Sequence, residues 1–421
     1  MPLALRRILG ATLVAVALFA AGLAVATAAF ERPNQLDRRV DAISETALAS
    51  QPAVALVDGA RQTAAQRRAG LVLPGWLLTA VFEAIALAYF WISGGAAALR
   101  DRLRRQLLAE WRVRFTFGAA LALIARLAAL IPAFYLYRVE RVMDLSTQLT
   151  RVWGLYWVAQ TLAAMVVAGV IVAIVLWLVD RTHQWYAYTI VIILGVSIVW
   201  SYASPSIDVL GTRGLQSAGV EIQARAAEAL ARGKVPAVPV LVVNARGTSL
   251  ADPVVVGLGP FRRVVLPKSL VAGSTVPEIT YVVAYEIGHV LHADPLFFAL
   301  IEGGIIIVFS ALAVVLADRI GFRRDDDPLS RLALVGALLA VVYLVAVPVR
   351  NAALRSYDLD ADRYAVSLTG DRAAAVRAIV RATDQRMEEA CPEMLPSLFL
   401  DVHPSPAARI AAINGVPTGC P

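Results

Sequence analysis

Seven long apolar stretches punctuate the chain, at about 8–30, 75–99, 115–137, 153–179, 186–202, 296–317 and 332–349. A helix needs about 20 apolar residues to cross the hydrocarbon core of a bilayer, so each stretch is predicted to be a transmembrane helix, the fifth being the shortest. The first follows Arg6 and Arg7 and ends in the small residues Ala26, Thr27 and Ala28, a pattern open both to a cleaved signal peptide and to a retained anchor. Its apolar length favours the anchor. Two polar regions, 203–295 and 350–421, interrupt the pattern, and chemistry is expected there. In the first, β-branched stretches at 239–245, 253–259 and 262–270, separated by turn-forming residues, predict a small sheet. A helix over 277–293 follows, stopped by Asp294 and Pro295, and the second polar region opens on a helix over 352–368 that ends at Thr369 and Gly370.

Composition agrees with a chain solvated partly by lipid. Hydrophobic residues make up 59% of the 421 positions and charged residues 17%, which excludes an ordinary soluble globular protein. The net charge of +7 is carried by arginines beside the apolar stretches, with lysine only at Lys234 and Lys268. That distribution marks membrane topology rather than a nucleic-acid partner. Arg100, Arg102, Arg104, Arg105, Arg112 and Arg114 fill one loop and Arg319, Arg323, Arg324 and Arg331 another, and the positive-inside rule puts both on the cytoplasmic side. Seven crossings then place both polar regions outside a bacterial-type cell membrane, although Arg38, Arg39, Arg61, Arg67 and Arg68 make an opposing loop basic too. The two cysteines, Cys391 and Cys420, form no CxxC pair. In an oxidising compartment they would form a disulfide, and two buried thiols are the alternative.

Candidate chemistry begins in the segment AYEIGHVLHADP. A zinc peptidase helix presents His-Glu-x-x-His, in which residues i and i+4 grip one ion and the glutamate activates the metal-bound water. Glu286 and His289 stand in the glutamate and second-histidine places, and Tyr285 occupies the first. Alone, Glu-x-x-His is a weak signal, as common on a helix with a surface glutamate and a core histidine. Two further segments strengthen it. SYDLDADRYAVSLTG carries Asp358 and Asp362 one turn apart, on a face where a ligand and a supporting carboxylate would both point one way. DVHPSPAARI supplies His403 and Arg409, a hydrogen-bond donor and a cation suited to an oxyanion. Glu83 and Arg126 lie inside apolar stretches and read as a structural pair between adjacent helices, with a polar chamber lining as the sharper alternative. His183, in a short loop, reads as interfacial.

In these motifs the sequence resembles the integral-membrane zinc metallopeptidases of the CAAX prenyl protease and HtpX type, over about 203–415 and in its layout of apolar stretches. The resemblance implies a mostly α, polytopic protein: transmembrane helices at 1–202 and 296–349, and a gluzincin-like peptidase domain with a small sheet assembled from 203–295 and 350–421. It implies Zn2+ held by His289, Asp358 and the degenerate position Tyr285, with Glu286 as general base, Asp362 orienting a ligand, and His403 and Arg409 stabilising the tetrahedral intermediate. SLADPVVVGLG resembles the family's substrate-binding edge strand, with Asp252 and Pro253 replacing the usual pair. Two departures fall on the metal. A phenol with a pKa of about 10 is a poor zinc donor, and Asp358 is one methylene shorter than the usual glutamate. His292, one turn beyond His289, is either an alternative ligand in a rearranged site or a residue of supporting or surface role. Two functions follow: a zinc metalloendopeptidase acting on peptides or membrane-protein segments, impaired by the lost histidine, or a non-catalytic relative that binds peptides or acts as a scaffold.

Overall fold

The computed structural model describes residues 22, 40–210, 214–244, 252–321 and 327–421. The first apolar stretch, apart from Gly22, lies outside them. After two short helices, α1 (Glu45–Ser50) and α2 (Ala53–Leu56), come α3 (Gly59–Ile92), α4 (Gly95–Gln106), α5 (Glu110–Val142), α6 (Thr150–Arg181) and α7 (Trp185–Leu210). The polar region that follows contains β1 (Gln216–Ser217), α8 (Val220–Arg232), β2 (Val240–Val243), β3 (Val254–Val256), β4 (Arg263–Pro267), α9 (Lys268–Gly273) and α10 (Val276–Leu291). Then come α11 (Asp294–Gly321), α12 (Pro328–Thr369), α13 (Arg372–Arg386), α14 (Met394–Leu400) and α15 (Pro406–Asn414).

Among the described residues, six helices, α3, α5, α6, α7, α11 and α12, are long and apolar enough to span a membrane. They coincide with the second to seventh apolar stretches. The second stretch differs in one respect: its helix stops at Ile92, and Gly94, at φ +81°, turns the chain into the separate basic helix α4. That left-handed conformation is one glycine adopts without the Cβ clash other residues meet.

The larger difference concerns the last stretch. The spacing of apolar residues predicted a membrane helix to 349 and a separate polar helix from 352, but α12 is one helix of 42 residues with Pro348 inside it. At about 1.5 Å per residue, its start at Pro328 lies some 45 Å along the axis from Asp358. At that start, Asp327 accepts a hydrogen bond from Arg104 at 2.7 Å and lies 3.7 Å from Arg100. The arginine-rich loops therefore meet at one end of the bundle, and the carboxylate face of α12 emerges from the other. Within the bundle, Arg126 on α5 donates to Thr161 at 3.4 Å and lies over the Trp157 ring. Neither Arg126 nor Glu83 lines the cavity described below.

The four strands form a mixed sheet in the order β1-β2-β4-β3, with β2 and β4 parallel and the outer pairs antiparallel. Three of them match the predicted stretches; two-residue β1 carries no β-branched residue to signal it. Val240, Val264 and Leu266 pack from the sheet into one core with Ile279, Val283 and Ile287 of α10, Ala361 and Ala365 of α12, and Ile410 of α15. Leu48 and Leu56, from residues the sequence reading grouped with the N-terminal transmembrane region, are buried in that same core. Polar ties hold them there. Asn414 donates to the Leu48 carbonyl at 2.7 Å, and Gln62 bridges the Glu388 carbonyl and the Ala390 amide at 3.0 and 2.8 Å. A disulfide joins Cys391 and Cys420 in the C-terminal tail, the first of the two alternatives left open above.

One of these ties is titratable. The Asp58 amide donates to buried Asp384 at 3.0 Å, and burial raises the Asp384 carboxyl from 3.8 to about 6. An unfolded chain loses that proton near 3.8 and the folded chain near 6, so the folded state loses stability as pH rises between these values and carries the full cost above them. Asp384→Asn is therefore expected to raise thermal stability in detergent by about 1–3 kcal/mol at pH 8 and to change little at pH 4.

Candidate active site

Helices α10 and α12 cross where Gly288 faces Ala361: a Cβ at Gly288 would lie 3.5 Å from the Ala361 Cα and 3.1 Å from the Tyr364 ring. That approach aligns the face of α10 carrying Tyr281, Tyr285 and His289 with the Asp358 and Asp362 face of α12. The Tyr285 hydroxyl donates to Asp358 Oδ1 at 2.6 Å. His289 turns Nε2 to the same oxygen at 3.4 Å and hydrogen-bonds Asp294 through Nδ1 at 2.7 Å. His403 approaches the other oxygen, Asp358 Oδ2, at 3.2 Å. One turn along α12, Asp362 accepts two hydrogen bonds from Arg409, at 2.7 and 2.9 Å, and a third from Tyr281 at 2.5 Å. The Arg409 guanidinium also lies 4.8 Å from the centre of the Tyr285 ring.

A cavity of about 780 Å³ opens onto this centre and is lined by Glu286, His289, Asp358, His403 and Arg409. It continues along α7 and α11 past Trp200, Ser201 and Glu302 to Arg350. Burial raises the Glu286 carboxyl to about 7, against the lowering effect of the His289 charge, which suits a group that exchanges a proton near neutrality. Burial alone would lower the His289 imidazole, but its hydrogen bonds with Asp294 and Asp358 outweigh this and raise it to about 9. Burial disfavours the Tyr285 phenolate and pushes that phenol well above its ordinary value, so the hydroxyl keeps its proton.

The predicted residues thus come together, with two differences of role. Asp362 is bound to Arg409 and Tyr281 instead of to a ligand histidine, because the histidine it would orient is replaced by Tyr285. His292 points away: it is exposed and packs on Tyr364, in a shallow groove with Asp294, Asp360 and Arg363. The sequence reading missed Asp294 as the partner of His289, having taken it for a helix stop. It missed Tyr281 as well, whose only signal was its place one turn before Tyr285, and Glu302, a carboxylate inside an apolar stretch.

The comparisons with known proteins bear on this geometry. Residues 218–416 match the model of peptidase family M48. The chain is 25% identical over 304 residues to the Bacillus subtilis protein YhfN, described as an uncharacterized metalloprotease, a match covering 70% of this chain and 71% of that one. Its fold is similar to that of S. mikatae Ste24p, with a TM-score of 0.61 over 95% of this chain and 98% of that one at 17% identity. These resemblances support a membrane metallopeptidase-like protein, and the M48 match implies a metal cofactor, generally zinc.

The residues present do not fit that metal as a three-ligand site. His289 Nε2 and Asp358 Oδ1 are 3.4 Å apart, close to the separation of neighbouring corners of a tetrahedron with zinc bonds of about 2.0–2.1 Å. The third corner fails. The Tyr285 hydroxyl is a protonated phenol 2.6 Å from Asp358 Oδ1, a donor–acceptor distance shorter than that ligand spacing. Among the described residues no group of three His, Cys, Asp or Glu side chains is placed to hold a metal ion.

Arg409 and Asp362 are expected to brace the centre. Asp362 is fully buried, and Arg409→Met would leave its charge with Tyr281 alone, costing about 3–5 kcal/mol, whereas pairing that change with Asp362→Leu should recover most of the loss. Chemical denaturation of the two variants in detergent measures both values.

Proposed function

We propose that the chain is a membrane-bound protein of peptidase architecture that engages peptide or membrane-protein segments in its cavity, with a hydrolytic centre impaired at the metal. The observation that carries this reading is the 2.6 Å hydrogen bond from Tyr285 to Asp358. It joins the degenerate ligand place to the carboxylate that would serve as third ligand, and a neutral phenol is a weak substitute for imidazole. The rest of the M48 centre persists: Glu286, His289 and His403 line an open cavity, and Asp252 and Pro253 lead into edge strand β3, which is suited to adding an extended segment by strand pairing. We place the domain on the extracytoplasmic side. The arginine-rich loops at the far end of α12 support this orientation, as does the Cys391–Cys420 disulfide, which persists in an oxidising compartment.

Two experiments test the reading. Purified wild-type protein is expected to carry well under one equivalent of zinc. Tyr285→His should take up a full equivalent and raise hydrolysis of unfolded casein by at least about tenfold, given that even supporting changes around a metal cost about 10- to 100-fold. Adding Glu286→Gln should abolish that gain. A full equivalent of zinc in the wild type, with hydrolysis little altered by Tyr285→His, would contradict the proposal. Orientation is read separately: in intact cells, a membrane-impermeant thiol reagent is expected to label Cys391 and Cys420 only after reduction.

A further inference from the structure

The cavity has a second charged feature, away from the Asp358 centre. Arg386, the last residue of α13, forms one wall, and Asp252, two residues before β3, forms another. They are joined across the cavity by an ion pair of 2.7 Å, and Arg386 Nε also lies 3.1 Å from Glu388. Among the described residues β3 is the last strand of its sheet, so its outer edge is where an added peptide strand would pair. The Asp252–Arg386 pair therefore lies at the entrance to the edge that such a segment would occupy.

Two of the cavity's other arginines are held by fully buried carboxylates, Arg409 by Asp362 and Arg381 by Glu278. The ion pairs of Arg386 with Asp252 and Glu388 instead involve carboxylates that are 48% and 38% exposed. Solvent-screened pairs of this kind contribute little, so exchanging one carboxylate for another costs little. A guanidinium offers a fixed fork of donors suited to any carboxylate that reaches it.

We infer that Arg386 is a specificity-determining residue of the peptide cavity: it selects extended segments bearing a carboxylate, and Asp252 is the internal group that the incoming carboxylate displaces. The inference rests on the peptide-binding reading above. Side chains alternate along a strand, so the preference should fall on one position, or on two positions two residues apart, with neighbours between them indifferent.

The test uses the full-length chain in detergent and fluorescence anisotropy with labelled, C-terminally amidated valine-serine octapeptides. Each carries a single glutamate at one position and is compared with its glutamine twin; a glutamine peptide with a free C-terminal carboxylate separates a terminal from a side-chain source of the charge. At one register the glutamate peptide, or the free-carboxylate peptide, is expected to bind about three- to fivefold tighter than its neutral twin. Arg386→Gln should remove that ratio, Arg386→Lys should keep part of it, and Asp252→Asn should enlarge it by removing the competitor. A ratio that survives Arg386→Gln, or that shrinks in Asp252→Asn, overturns the inference. Peptide binding without any charge preference overturns it while leaving the cavity a peptide site; binding of no peptide at all overturns both.

Discussion

The centre depends on how closely two helices approach. Gly288 lets α10 lie against Ala361 of α12 with a separation that leaves a Cβ no comfortable room beside Tyr364. From that contact follow the Tyr285–Asp358 hydrogen bond, the facing of His289 and Asp358, and the burial of Asp362 beneath Arg409. A Cβ at position 288 would meet Ala361 at ordinary contact distance and ask the Tyr364 ring to give by a few tenths of an ångström. Side chains larger than a methyl group would have to push the helices apart, and the donor set with them.

The second constraint is mechanical. Because α12 runs unbroken from the arginine-rich end of the bundle to Asp358 and Asp362, the position of the carboxylates is tied to the membrane spans and not to a flexible connector. The peptidase domain is stitched to those spans a second time by residues 40–62, which bury Leu48 and Leu56 in its core and reach Glu388, Ala390 and Asn414 through hydrogen bonds. The cavity consequently runs from the sheet edge at Asp252 down to Glu302 and Arg350 within one framework.

Much of this was legible in the residues. Apolar length marks a membrane helix almost regardless of context, which is why all the described spans were located and only the break at Gly94 and the fusion through Pro348 were misjudged. A proline inside a long helix and a polar face continuing an apolar one look, in sequence, like a boundary. The donor set was legible because its residues sit in short motifs with helical spacing. What those motifs hid were partners supplied from elsewhere: Asp294 reads as a helix stop, and nothing in the spacing of Asp362 shows that it faces Arg409 and Tyr281. Arg386 and Asp252 are far apart in sequence, and only the fold reveals that they face one another.

The central claim is that Tyr285 is a neutral hydrogen-bond donor to Asp358, standing where a metal ligand would stand. Titrating zinc into purified wild-type protein while recording its ultraviolet difference spectrum tests this directly. A protonated phenol held by a carboxylate predicts no stoichiometric uptake and no tyrosinate band at neutral pH. Stoichiometric uptake accompanied by a tyrosinate band that disappears in Tyr285→Phe would make Tyr285 a metal ligand and contradict the account.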